Sequence, residues 1–398
     1  MQRTCITLAG LAFWGTTLGA PHAASGADLV IGELHPITGA ASFYGLVMSQ
    51  TLKLLADQMN AEGGLEVGGT KYTLRIESAD DQAQATVGVA ALRKLLADNV
   101  HYIIGPLASA VAPAIKPIID ANPNVLQIID GTIADGVVNG RNSFRVQANA
   151  DTWNNAVITY VKGKTIPTVA IMSDRGHQGF MSSEPRMVAS LSDAGIKLLA
   201  EEYFKIGDTD FSAQLTKLTA LKPAALVVRG YPGEGALIVK QAHQLGYTGQ
   251  IVWEMGAPPS TVMKNIPAAE MDNVVNCTPR MTADYIRLKV PNALKLASSF
   301  NQRYGFEPGE NAAFSNDAFW VLVTTMRKAG TTELGPVEAE LTKLKVSEVP
   351  HLVIQYRPYE GGLLFKDGQA NPPSSAQIWH GESWQSMPGD HLDLTTTN

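Results

Sequence analysis

From Asp28 onward the chain alternates between two hydrophobic rhythms. Short apolar runs stop at Gly, Pro or acidic breakers, and between them apolar residues recur every three or four positions. "DLVIGEL" belongs to the first kind and reads as a strand. The second kind follows it: Tyr44, Val47, Met48, Thr51, Leu52, Leu55 and Met59 fall at helical spacing, and the Gly-rich "AEGG" closes that helix. "KYTLRIESADDQ" is the next strand, "ATVGVAALRKLLADN" a helix, "HYIIGPL" a strand, "AVAPAIKPIIDAN" a Pro-marked helix and "NVLQIID" a strand. A second series opens after "NSFRVQANADTWNN". It runs through strand "TVAIMSD", a helix over 183–194, strand "KLLAEEYF", helix "FSAQLTKLTAL", strand "AALVVRG", helix "EGALIVKQAHQLG" and strand "QIVWEM". Beyond "NVVNCTPRM" the spacing turns helical through "PNALKLASSFNQRYG" and "NAAFSNDAFWVLVTTMRKAG". The tail over 351–387 alternates in short, turn-rich segments of antiparallel type. Alternating strands and helices predict parallel sheets covered by helices, here in two α/β lobes.

The first residues follow another pattern. Arg3 precedes an uncharged apolar stretch from Ile6 to Leu18, and small residues come next, the layout of a secretory signal peptide. Residues 1–27 are therefore expected to be removed, with cleavage after Ala24 or Ala27, and the mature protein to be exported to the periplasm. Cys5 lies before the apolar stretch, which is the wrong side for lipid attachment. No other stretch approaches the about 20 apolar residues that a membrane span requires.

The composition, 45% hydrophobic and 17% charged over 398 residues, is that of a chain that can build a core. The formal charge is −6, or −7 once Arg3 leaves with the signal, and the basic residues are scattered. Nucleic acid is thereby excluded as the main partner, since phosphate binding needs clustered Lys and Arg. Cys277 remains as the mature chain's lone cysteine, so no intrachain disulfide forms, and its apolar surroundings in sequence suit a buried structural thiol.

Catalytic patterns fail one by one. Gly163-Lys164-Thr165 resembles the end of a phosphate loop, but Ile158 stands where the leading Gly belongs. Gly230 to Gly235 has the glycine spacing of a dinucleotide loop reversed, with Pro232 inside it. His and Cys lack metal spacing, and no Gly-x-Ser-x-Gly elbow occurs. An enzyme is not expected, nor any catalytic residue, metal or cofactor.

What remains is a set of small and polar residues at strand C-termini, the edge where open α/β sheets hold ligands. Leu107, Ala108 and Ser109 follow "HYIIGP"; Asp130, Gly131 and Thr132 follow "NVLQII"; Tyr231 follows "AALVVRG"; Glu254 ends "QIVW". Ser109 either caps the next helix or leaves that helix's N–H groups to receive an anion. Glu254 is either a solvated loop acid or a ligand contact. A carboxylate-binding helix end facing a lone acid would suit a zwitterion.

At these residues the chain resembles the exported solute-binding proteins of ABC importers, of the branched-chain amino acid-binding (Leu/Ile/Val-binding) type. "IGELHPITGAASFYG", "LLADQMNAEGGLEVGGTKYTLRIESADDQ", "IIGPLASA", "DTDFSAQLTKL" and "VWEMGAPPS" match that family's landmarks in order, from about Leu29 to the end. The resemblance implies an α/β fold of two Rossmann-like lobes joined by a three-crossover hinge, the type I periplasmic binding protein. Lobe 1 would take 28–146 and 277–348, lobe 2 would take 147–276 and 349–398, and the crossovers would fall near 144–149, 275–279 and 346–351.

It also implies that Leu107, Ala108, Ser109 and Thr132 hold a ligand carboxylate, that Glu254 and Tyr231 hold its ammonium, and that Tyr44 lies beside it. Two departures stand out: Gln178 occupies the place of an aromatic residue in "SDRGHQGF", and Asp130 stands where small uncharged residues are usual. The expected function is capture of an amino acid or related small polar solute and its delivery to a membrane ABC permease, by a monomer. A sensor of the same fold, a binder of amides or aromatic acids, and an exported α/β enzyme are the alternatives.

Overall fold

The computed structural model describes residues 27–39, 41–257 and 259–387, so the expected signal segment, Ala27 apart, lies outside the described residues. Two mixed sheets organise the chain. The first contains β1 (Ala27–His35), β2 (Leu65–Val67), β3 (Thr70–Asp80), β4 (Tyr102–Ile104), β5 (Leu126–Ile129) and β6 (Ser143–Arg145), in the order β2-β3-β1-β4-β5-β6. All its pairings are parallel except β2 with β3. The second contains β7 (Thr168–Asp174), β8 (Lys197–Phe204), β9 (Ala225–Arg229), β10 (Gln250–Trp253), β11 (Val274–Pro279), β12 (Ser374–His380) and β13 (Ser383–Ser386), in the order β13-β12-β11-β10-β9-β7-β8. Here β11, β12 and β13 pair antiparallel and the others parallel.

The inner strands are mostly apolar because helices cover both faces of a parallel sheet, whereas the outer β3 and β8 carry charged residues. Every residue of β9 is buried, and so is every residue of β4 and β5. The helix Ser42–Ala61 forms where the spacing predicts it and buries Val47, Met48, Leu52, Leu55 and Met59. The helix expected over 183–194 starts earlier and spans Gln178–Asp193. Phe180, Met187 and Leu191 are its buried face, and the polar run between them hides the period. Cys277 is fully buried on β11, as its sequence context suggests.

The chain passes between the sheets three times, and two of the three passages differ from the expected positions. The first follows β6 near residues 146–149. The second comes after Pro279, because the whole of β11 belongs to the second sheet. The third lies between Ala370 and Ser374 instead of over 346–351, and residues 349–370 pack with the first lobe.

That stretch is not the expected run of antiparallel strands but is mostly irregular, with isolated bridges only. Val353, Ile354, Tyr356, Leu364 and Phe365 enter the same core as Phe144, Phe300, Phe314 and Phe319. Buried Asp317 fixes it there: Oδ1 accepts from Val353 N–H at 2.8 Å and Oδ2 from Ile354 N–H at 3.0 Å. The passages then lie side by side, with Arg145 N–H donating to Gly368 O, Ala370 N–H to Arg145 O and Arg280 N–H to Pro373 O, at 2.7–2.9 Å.

Asp317→Ala should leave two buried N–H groups without acceptors, at about 1–3 kcal/mol each. Urea unfolding of the variant should therefore show a loss of about 2–5 kcal/mol, with the first lobe reporting it.

Candidate functional site

The carboxyl ends of the parallel strands in both sheets border a cavity of about 400 Å³. That volume falls within the range of small-molecule pockets, about 300–1,000 Å³. The first lobe contributes Tyr44, Leu107, Ser109, Gly131 and Ile133; the second contributes Trp153, His177, Tyr231 and Met255. Gln147 and Met281 line it beside the passages, and Glu310 closes part of its wall. Close approach of the backbones shapes it: a Cβ on Gly131 would lie 2.4 Å from Leu107 Cα.

Ser109 is placed by its neighbours and does not cap a helix. The helix Val111–Ala121 has Ala110 at its N-cap and no side-chain cap. Ser109 Oγ instead accepts from Thr132 Oγ1 at 3.0 Å and from Ile133 N–H at 3.3 Å, which leaves its own proton for a group in the cavity. Thr132 is fully buried and outside the lining, so it positions Ser109 and does not face the cavity. Ala108 is likewise turned into the apolar cluster around Leu34, Leu92 and Ile115.

Gln178 is exposed, and the residue before it takes the place expected for an aromatic. His177 is the N-cap of the helix Gln178–Asp193, so its extended backbone turns the ring inward while Gln178 begins the helix facing solvent. His177 stacks on Phe180 with ring centroids 4.1 Å apart and lies 5.3 Å from Tyr231. Burial, with the charge of Arg229 adding to it, pushes the imidazole down to about 3. It is therefore neutral, and since Nδ1 accepts from Phe180 N–H at 3.3 Å, the ring proton resides on Nε2.

Asp130 also leaves the expected set. It is fully buried, its Oδ1 is 3.0 Å from His35 Nε2, and its Oδ2 accepts from Ser315 Oγ at 2.6 Å. His35 Nδ1 contacts Glu33 Oε2 at 3.2 Å. Burial opposes the charge on His35, but Asp130 and Glu33 outweigh it and lift the imidazole to about 10. The cation cancels the acid that would otherwise repel a carboxylate nearby.

The largest difference concerns Glu254, which is neither a solvated loop acid nor part of the cavity lining. It is fully buried, and Arg229 Nε donates to its Oε2 at 2.5 Å. Arg229 ends β9 and Glu254 directly follows β10, whose last residue Trp253 pairs with Val228. Arg229 Nη2 donates further to Asn154 Oδ1 at 2.7 Å and Ser183 Oγ at 3.2 Å, and its guanidinium sits 4.8 Å over the Phe180 ring. Burial pushes the Glu254 carboxyl up, against the pull of Arg229.

Of the expected residues, Tyr44, Leu107, Ser109, Gly131 and Tyr231 thus come together at the cavity, while Ala108, Asp130, Thr132, Gln178 and Glu254 do not. Trp153, His177, Gln147, Met281 and Glu310 were not anticipated. Only Arg229 had a readable signal: a charge ending an all-apolar strand, as Glu254 ends the next.

The lobes meet directly around this cavity. Ser182 and Arg186 of the second lobe both bind Asp135 Oδ2 of the first, at 3.0 and 2.5 Å. Gly179 packs on Ile133 so closely that a Cβ would lie 2.4 Å from Ile133 Cγ1.

Residues 28–370 match the family described as Periplasmic binding protein, and the chain belongs to that family. It is 30% identical over 228 residues to the Leu/Ile/Val-binding protein BraC3 of Rhizobium johnstonii, covering 57% of this chain and 61% of that one, less than two thirds of its length. It is 26% identical to Leu/Ile/Val-binding protein homolog 2 of Brucella abortus over 84% of this chain and 92% of that one. The fold is that of a leucine-binding protein from Thermotoga maritima, with a TM-score of 0.75 and 23% identity over 90% of this chain and 98% of that one.

Two outcomes check this geometry. Gly179→Val should hold the lobes apart against Ile133, so that small-angle scattering gives a larger radius of gyration while the circular dichroism spectrum stays native. The folded value of His35, near 10, lies above its unfolded value of about 6.5. Its contribution is therefore complete below about pH 6.5 and lost as pH rises towards 10, a few kcal/mol in all. Urea midpoints of the wild type should fall more between pH 7 and 9.5 than those of His35→Gln.

Proposed function

We propose that this chain is an exported solute-binding protein that captures an amino acid or a related small organic acid between its lobes and passes it to an ABC permease. The observation that carries this reading is the cavity at the facing strand ends, with Ser109 held so that its hydroxyl proton is free for a ligand oxygen. Membership of the family and the names of the Leu/Ile/Val-binding relatives support the ligand class.

In this reading no bond of the ligand changes. Leu107 and Gly131 let the backbone come close, Ser109 binds a carboxylate oxygen, and Tyr44 and Tyr231 close over the ligand from opposite lobes. Closure about the three passages is a hinge motion of the kind known for two-lobed binders. Affinity comes from charge-assisted hydrogen bonds, each about 1.5–3 kcal/mol net.

A thermal-shift screen of amino acids, amides and aromatic acids should identify binders, because a ligand of the folded state raises its melting temperature. Ser109→Ala should then weaken the binder found roughly 10- to 150-fold by titration calorimetry, the equivalent of one charge-assisted bond. Unchanged affinity would remove Ser109 from the ligand's contacts.

A further inference from the structure

Resting on the reading of the cavity as a carboxylate site, we infer that the ligand lacks an α-ammonium group: it is a 2-oxo or unsubstituted carboxylic acid with an aromatic or branched apolar body. The first ground is that Glu254, the acid at the second lobe's strand ends, is already closed by a cation of the chain itself. Arg229 and Glu254 are both fully buried and 2.5 Å apart, and Asn154 and Ser183 hold the guanidinium from its other side. A ligand ammonium would have to displace that guanidinium from a dry ion pair, and breaking such a pair leaves a buried charge uncompensated.

The second ground is the group of hydrogen-bond donors that the strand-end part of the wall offers to a ligand. Trp153 lines the cavity at 1% exposure, and its indole N–H has no hydrogen-bond partner among the described residues. His177 brings a proton on Nε2, and Ser109 a proton on Oγ. Three amide acceptors along the wall are committed. Gln147 Oε1 takes Ala148 N–H at 2.8 Å, Asn276 Oδ1 takes Gly256 N–H at 3.0 Å, and Gln377 Oε1 takes Asn276 Nδ2–H at 2.8 Å. These donors suit a carboxylate with a second oxygen beside it, and the rings of Tyr44, Trp153, His177 and Tyr231 suit an apolar or aromatic body.

Four carboxylates compete with this assignment; of these, Asp284 is taken by Arg287 and Gln377, and Glu307 Oε1 accepts from Asn301 Nδ2 at 3.3 Å. Glu254 Oε1 has no hydrogen-bond partner among the described residues, although Glu254 does not line the cavity. Glu310 does line it, with burial and the neighbouring Asp284 lifting it to about 7, and it is the acid that a ligand ammonium would have to use in place of Glu254. Arg287 and Tyr44 are the other ionisable groups near it.

The test compares matched pairs that differ only at the α-carbon: phenylalanine against phenylpyruvate and 3-phenylpropionate, and leucine against 4-methyl-2-oxopentanoate and 4-methylpentanoate. Titration calorimetry of the mature wild type should give at least tenfold tighter binding of an oxo or unsubstituted acid than of its amino partner. Glu254→Gln, which keeps the side chain's shape, should leave that preference in place. Amino acids binding as tightly as their partners, with the affinity lost in Glu254→Gln or Glu310→Gln, would overturn the inference and leave the solute-binding reading intact. No binding by any of the six acids would overturn the carboxylate site itself, and the inference with it.

Discussion

Parallel pairing is the constraint on which everything else in this chain depends. It brings the carboxyl ends of β4 and β5 to one edge of the first sheet and those of β7, β9 and β10 to one edge of the second. Three passages lying side by side then turn these edges towards each other, so loops distant in sequence border one cavity. Ser109, Gly131, His177 and Tyr231 come from four separate strand ends and meet for that reason alone.

Charge in this interior is handled by local cancellation. His35 is held as a cation between Glu33 and Asp130, Lys53 Nζ lies 3.4 Å from Glu33 Oε1, and Arg229 sits against Glu254, so each of the five buried acids and bases has a partner of opposite charge. Each ion would be costly to bury singly, and removing one partner of such a pair strands the other. The ion pair that crosses between the lobes, Arg186 with Asp135, is partly exposed, and exposed pairs are worth little each. Lobe contact therefore relies more on apolar packing of Ile133, Trp153 and Phe180 than on those charges.

Most of the fold could be read from periodicity, because strands buried on both faces are continuous apolar runs and their helices carry regular stripes. Reading failed where side chains, not rhythm, fix the backbone. Residues 349–370 look like strands because Val353, Ile354, Leu364 and Phe365 recur closely, yet Asp317 captures their N–H groups and holds them against the first lobe. At the site, Leu107, Ser109, Gly131 and Tyr231 were legible as strand-end residues, and Tyr44 only through the family resemblance. His177 was missed by one position, since the start of a helix decides which of two neighbours turns inward.

The sequence by itself determined the two α/β lobes, the strand ends as the ligand edge and the family to which the chain belongs, all of which rest on local pattern. Only the tertiary structure decided what the two lone acids do. Asp130 and Glu254 carry the same sequence signal, a carboxylate closing an apolar strand. Their partners, His35 on β1 and Arg229 on β9, are set by strand order. Because pairing in the sheet and not proximity along the chain chooses which charges meet, Glu254 faces Arg229 and stays out of the cavity lining.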